Sequence, residues 1–216
     1  MSGAPVTAVT GAPYASRMPG RATTPEGREQ RERILRAAFE RFAAHGYRGT
    51  SLDAVAAAVG ISRQGVLHYF PSKVHLLLGV LELRDEETAT RAEERARAGD
   101  ATFAEGLLGA VEHNQRQPDL TRLYTVLSAE SVAPEHLGHE HFQERYRAVR
   151  VAMAHAIREA QEAGELDPAV DPLDAAILLI AVMDGLQTQF LLEPETIDMV
   201  APLSRFLELL RAPSGP

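Results

Sequence analysis

Apolar residues recur along this chain at steps of three and four, and no stretch alternates apolar with polar long enough to draw a strand. Ile34, Leu35, Ala38, Phe39 and Phe42 share one face of a first helix, with Arg28, Arg31, Arg36 and Arg41 along its outer side. Thr24-Pro25 and Glu26 predict where it starts, as N-cap, proline and first-turn acid. His45-Gly46 predicts its end. A second start follows at Thr50-Ser51-Leu52-Asp53, with Leu52, Val55, Ala56 and Val59 as the apolar stripe. Gly60 can take the left-handed conformation that stops it. Ser62 then caps a short helix carrying Val66, Leu67 and Phe70. Pro71-Ser72 breaks the chain, and a long helix begins at Lys73 with Leu76, Leu77, Val80 and Leu83.

The same spacing continues to the end. "RDEETATRAEERARAG" reads as a solvated helical end. Asp100 is expected to start a helix running to about Gln117, and Pro118-Asp119 another to about Val132. Residues 135 to 163 form a long one, ended by Gly164. Asp171-Pro172 opens "LDAAILLIAVMDGLQTQFLL", the most apolar stretch, and Pro194 opens a last helix with Ile197, Val200, Leu203, Phe206, Leu207 and Leu210. The expectation is an all-α protein of about nine helices.

With 216 residues the chain is one large domain or two modest ones, long enough to bury a core. Its apolar fraction of 45% and charged fraction of 24% are those of a globular protein. There is no cysteine, which rules out a disulfide, a thiolate-zinc site and a cysteine nucleophile, and fits a reducing cytoplasm. No uninterrupted apolar run reaches the ~18 residues of a membrane span, so no membrane partner is expected. Residues 1–23, rich in Gly, Pro, Ala, Ser and Thr, lack the pattern of a secretory signal and read as a disordered tail with Arg17 and Arg21.

A net charge of −8 argues at first against a nucleic-acid partner, but its distribution reverses that. Residues 1–25 and 26–82 each carry +2, whereas residues 83–216 carry −12. Binding DNA requires a basic face, not a basic chain. Two functional halves follow.

Residues 51 to 70 outline a helix-turn-helix, in which the second helix enters the major groove and its first turn reaches base edges. Arg63 and Gln64 occupy that turn; Arg suits the acceptors of guanine and Gln the acceptor–donor pair of adenine. Gly65 removes a side chain where the backbone would approach the duplex. Ser62 caps this helix at the duplex, and phosphate contacts are expected from His68 and Tyr69 and from the helix starts at Thr50-Ser51 and Ser72-Lys73. The outline alone also suits an all-α protein with no DNA partner, in which Arg63 is a surface charge and Tyr69 a half-buried packing residue.

The residues resemble something more specific. "RILRAAFERFAAHGYRGTSLDAVAAAVGISRQGVLHYFPSKVHLL", residues 33 to 77, is similar to the DNA-binding domain of the tetracycline-repressor (TetR) family. The matching pieces are Ile34-Leu35 with Ala37-Ala38, Gly46-Tyr47 with Thr50-Ser51, Ala56 with Gly60-Ile61-Ser62, and Tyr69-Phe70-Pro71-Ser72-Lys73. Two departures stand out. Many members have Leu-Tyr where this chain has Val66-Leu67, so that tyrosine's phosphate contact would pass to His68 or Tyr69. Val74 replaces a frequent acidic residue.

The resemblance implies a DNA-binding domain at residues 24–72 and an effector-binding and dimerisation domain at 73–216. The function implied is a bacterial, cytoplasmic, ligand-responsive regulator, most often a repressor, acting as a homodimer on a double-stranded, pseudo-palindromic operator. No catalytic residue, cofactor or metal is expected. "MDGLQTQFLLEP", residues 183 to 194, resembles the penultimate helix of one group of these regulators, which pairs with its symmetry mate and the last helix. The interface would draw on Ile177, Ile180, Asp184, Gly185, Gln187, Thr188, Leu191, Val200, Leu203 and Leu207. Ile177 to Ile180 is apolar on nearly all sides, which also marks an interface. Family members hold a small molecule among the middle helices; by residue type its contacts would be Phe103, His113, Tyr124, Phe142, Tyr146, Met153 and Met183. The scarcity of basic residues there favours an uncharged or cationic effector.

Other chemistries find no support. His136, His139 and His141 in "EHLGHEHF" lack a carboxylate or fourth ligand at helical spacing, and no histidine has Glu three residues before it. No nucleophile elbow, zinc-protease or phosphate-loop pattern is present. A small-molecule-binding α-bundle with a vestigial DNA-binding domain is the alternative from another class.

Overall fold

A computed structural model of the protein describes residues 24–84 and 102–211. The expected tail at 1–23, and all but Arg84 of the expected helical end, lie outside the described residues. Among these, nine helices are present and the one β-feature is an isolated bridge between Leu166 and Arg211.

Local chemistry sets the elements. In α1 (Pro25–Gly49) the Thr24 hydroxyl accepts the Gly27 N–H at 3.1 Å. The expected stop at Gly46 is a kink: φ 67° and ψ 175° lie in a region used almost solely by glycine, and the helix then resumes for a few residues. Ser51 caps α2 (Leu52–Val59), and Ser62 caps α3 (Arg63–Tyr69). Residues 73–84 form α4.

α5 (Phe103–Gln115) begins at a capping box in which Thr102 and Glu105 satisfy each other's amides, which places the start after Asp100. α6 spans Pro118–Glu130 and α7 spans His139–Glu162. The expected extension of α7 back to residue 135 is replaced by turns. There His136 Nδ1 accepts the Gly138 N–H at 3.1 Å, and His139 Nδ1 lies 2.9 Å from the Ser131 carbonyl oxygen. A side chain at Gly138 would collide with the Ser131 hydroxyl. Asp171 caps α8 (Pro172–Leu192). α9 (Val200–Glu208) starts later than Pro194, because Asp198 accepts the N–H groups of Val200 and Ala201 at 3.3 and 2.9 Å.

Two compact bodies result. One comprises residues 24–84 and 119–144, the other residues 102–118 and 145–211. In the first, Ile34, Phe42, Val55, Val66 and Leu76 are fully buried and hold the short helices in place. In the second, α5, α8 and α9 pack around Ala176, Leu179, Met199 and Leu203 with the later part of α7.

Candidate nucleic-acid interface

The turn between α2 and α3 is built from three residues in series. Gly60 takes φ 73°, the Ile61 N–H reaches the Ala56 carbonyl at 3.0 Å, and the Gly60 N–H reaches that of Ala57 at 3.3 Å. This is a Schellman closure, which brings the residue after the glycine back over the helix end. The Ile61 side chain then lies against α3: a Cβ at Gly65 would stand 3.3 Å from its Cδ1 and 3.5 Å from its Cβ. A Cβ at Gly65 would therefore press on Ile61, a packing reason for the glycine that stands beside the expected clearance for a duplex.

Seven residues are too few for a helix to persist alone. α3 is held by Val66 and Phe70, 0% and 1% exposed, each burial contributing about 1.5–3 kcal/mol. Its other side is open: Ser62, Arg63, Gln64 and His68 are exposed, and Tyr69 and Leu67 are half-buried. The Ser62 hydroxyl accepts the Gly65 N–H at 3.1 Å. Arg63 Nη1 stands 4.0 Å from Asp53, with both side chains mostly exposed, so the pair contributes only about 0–1 kcal/mol. The His68 ring lies edge-on to Tyr69, with centroids 5.3 Å apart.

The flanking helix starts differ. Ser51 is exposed and its hydroxyl accepts the Ala54 N–H. Thr50 is 3% exposed, and its hydroxyl donates inward to the carbonyls of Gly46 and Arg41, so it shapes the link between α1 and α2. At the start of α4 the Ser72 hydroxyl accepts the His75 N–H at 3.3 Å. Lys73 Nζ sits 4.1 Å from the centroid of the Tyr47 ring. Burial lowers the Lys73 pKa; burial and then the charge of Glu130 raise that of the Tyr47 phenol.

Sequence reasoning missed the support behind α3. A Cβ at Gly79 of α4 would lie 2.9 Å from Leu35 Cδ2 and 3.0 Å from Phe70 Cε1, so the glycine lets α1 and α4 close on Phe70. Arg31 lies over the Phe70 ring at 5.2 Å and is 3.9 Å from Glu82, whose other oxygen is 3.5 Å from buried His141. A glycine inside the apolar run "LLLGVL" was the available signal.

The expected effector residues divide between the bodies. Tyr124 and Phe142 pack together in the first, with centroids 5.6 Å apart. In the second, Phe103, Met153 and Met183 pack against the core, and His113 pairs with Gln117. Tyr146 donates a 2.7 Å hydrogen bond to Asp184. Burial raises the Asp184 pKa, against the opposing effects of that bond and of Arg145. A cleft of about 340 Å³ at the start of α5, lined by Thr102, Glu165 and Arg211 among others, is bordered by none of these seven.

The expected dimer residues also divide. Asp184 turns toward Tyr146 of the same chain, while Gln187, Leu203 and Leu207 are buried within that chain. Ile177 and Thr188 are exposed; Ile180, Gly185, Leu191 and Val200 are half-buried, and space is open beyond Gly185. α8 has the length and mean hydropathy (21 residues, 1.7) of a membrane span, although Asp184 and Gln187 interrupt it. Leu173, Leu178 and Leu192, absent from the expected set, are exposed on it beside Ile177.

Comparison with known proteins decides the family. Residues 34–80 match "Bacterial regulatory proteins, tetR family", and residues 104–212 match "BetI-type transcriptional repressor, C-terminal". The chain belongs to the TetR family. It is 30% identical to the HTH-type transcriptional repressor SCO4008 of Streptomyces coelicolor, over 69% of this chain and 74% of that one. A TetR-family regulator from Rhodococcus has the same fold, with TM-score 0.70 at 24% identity over 86% of this chain and all of the other. A transcriptional regulator from Saccharomonospora viridis, solved in complex with choline, has TM-score 0.63 and 26% identity, covering 84% and 94%. As a TetR-family protein this chain is a DNA-binding transcriptional regulator and not an enzyme. The exposed face of α3 lies inside residues 34–80, the stretch matched to the tetR-family regulatory proteins.

Proposed function

We propose that the protein is a homodimeric, ligand-responsive repressor whose α3 reads an operator of two inverted half-sites. The observation that carries this is the division of α3: Val66 and Phe70 are buried, while Arg63 and Gln64 are exposed at its first turn. Arg63 and Gln64 read bases; Ser51, Ser62, His68, Tyr69 and Lys73 contact phosphates. Gly65 and Thr50 contribute through the backbone they shape. Residues 24–72 form the DNA-binding domain and residues 73–216 the effector and dimer domain, working in the bacterial cytoplasm.

The exposed apolar stripe of α8 supports a second copy of the chain as its cover. A helix apolar on all sides needs cover on all sides. Within the protomer α8 buries Ala176, Leu179 and Phe190 but leaves Leu173, Ile177 and Ala181 exposed at steps of about one turn, and Leu192 exposed about three turns further on. The same stripe on a symmetry mate would cover it, as an isologous contact does.

The effector is a small uncharged or cationic molecule in the second body. The Tyr146–Asp184 pair sets a carboxylate and a phenol beside an apolar cluster, and the choline complex of the Saccharomonospora viridis relative agrees with a cationic ligand. Binding shifts the dimer between states of different operator affinity, typically by ~1–3 kcal/mol. Selection of bound sequences from a random duplex library with the purified protein tests the proposal. An enriched inverted repeat supports it; an enriched single half-site, or no enrichment, overturns it.

A further inference from the structure

We infer that Tyr47 is a positioning residue for DNA binding, whose ring face holds the Lys73 ammonium where it meets a backbone phosphate. The inference rests on the reading of Lys73 as a phosphate contact. Lys73 is the first residue of α4, at the positive end of that helix's dipole, where a cation is disfavoured and an anion favoured. A lysine there opposes the local preference of its own helix. The structure offsets this with the Tyr47 ring, 4.1 Å from Nζ, because the negative face of an aromatic ring attracts a cation.

The backbone that carries the ring is set by Gly46 and Thr50, and the ring itself packs on Phe42. The kink at Gly46 aims the chain so that Tyr47 leaves the axis of α1. The Thr50 hydroxyl bonds to the Gly46 and Arg41 carbonyls, and the Thr50 N–H bonds to the Tyr47 carbonyl at 3.4 Å. Phe42, fully buried, stands behind the ring with centroids 5.9 Å apart. A flexible four-carbon side chain is thereby confined before DNA arrives, which reduces the ordering that binding requires. Tyr47 belongs to the family-like motif, but no local pattern marks this role for it.

Because a phosphate contact is blind to sequence, a random-sequence duplex at low salt is a sufficient probe. Tyr47→Phe should bind like wild type, and Tyr47→Leu should lose about three- to tenfold in affinity. Phenylalanines carrying successive fluorines at position 47 keep the ring's shape while draining its face of charge, so they report even if Tyr47→Leu fails to fold. Affinity should fall stepwise along that series, and the steps should vanish in a Lys73→Met background. A flat series beside a normal Lys73→Met deficit overturns the inference alone. A Lys73→Met protein that binds like wild type overturns both the inference and the phosphate reading beneath it.

Discussion

The Thr50 hydroxyl lies 2.9 Å from the Gly46 carbonyl oxygen, bridging the two ends of the link between α1 and α2. Gly46 holds a backbone conformation almost closed to other residues, and Thr50 is the buried group that ties it down. Thr50→Val keeps the shape but leaves those carbonyls without their donor, a cost of about 1–3 kcal/mol. Urea unfolding should show that loss, and Thr50→Ser should recover most of it. Equal stability of the Val and Ser variants would show that the hydroxyl does not hold the link.

Gly79 in α4 exchanges helix propensity for close packing. Alanine is preferred in a helix interior by about 1 kcal/mol, yet its Cβ would press on Leu35 and Phe70, both buried. Overpacking costs about 1–3 kcal/mol, so after the propensity gain Gly79→Ala should be destabilised by up to about 2 kcal/mol net. Because Phe70 anchors α3, DNA affinity should fall with it. Calorimetry and gel shift on the same preparation check both, and a stabilised Gly79→Ala protein would remove the packing argument.

Asp184 makes stability depend on pH in a set direction. Burial raises its folded pKa above the unfolded value, outweighing the Tyr146 hydrogen bond and Arg145. Between the two pKa values the folded state binds more protons than the unfolded state, so stability falls as pH rises through that window. Above it the full cost persists. Asp184→Asn, which still accepts from Tyr146, should melt higher than wild type at neutral pH and lose this part of the decline. Identical pH–melting curves for the two proteins would contradict the assignment.

The apolar stripe of α8 predicts an assembly state. Ile177 is 45% exposed in the protomer, and a glutamate there would be tolerated in a monomer but buried without a partner in a dimer. Ile177→Glu should sediment as a folded monomer and bind the two-half-site operator at least tenfold more weakly than wild type, about 1.4 kcal/mol or more. A dimeric Ile177→Glu protein would place the interface elsewhere.

Local signals showed most of the fold and the outline of the site. Thr24-Pro25, Ser51, Gly60, Ser62 and Asp171 cap or stop helices where their chemistry says they should, because capping depends on neighbours within one turn. The expected starts at residue 135 and at Pro194 fell too early for the same reason: the groups that hold the chain there are Ser131 with the histidines and Asp198. Helical periodicity placed Leu203 and Leu207 on an apolar face without saying whether protomer or partner covers it. The close packing at Gly79 depends on Leu35, 44 residues earlier in the chain, an approach that helical periodicity does not reveal.

The central claim is that α3 reads DNA through its first turn, and Arg63 tests it most directly. Gel-shift titrations would compare wild type with Arg63→Ala on the selected operator and on the operator with its guanines replaced one at a time. Arg63→Ala should lose about 1–3 kcal/mol on the operator and show relaxed preference at one position in each half-site. Unchanged affinity together with unchanged preference would contradict it.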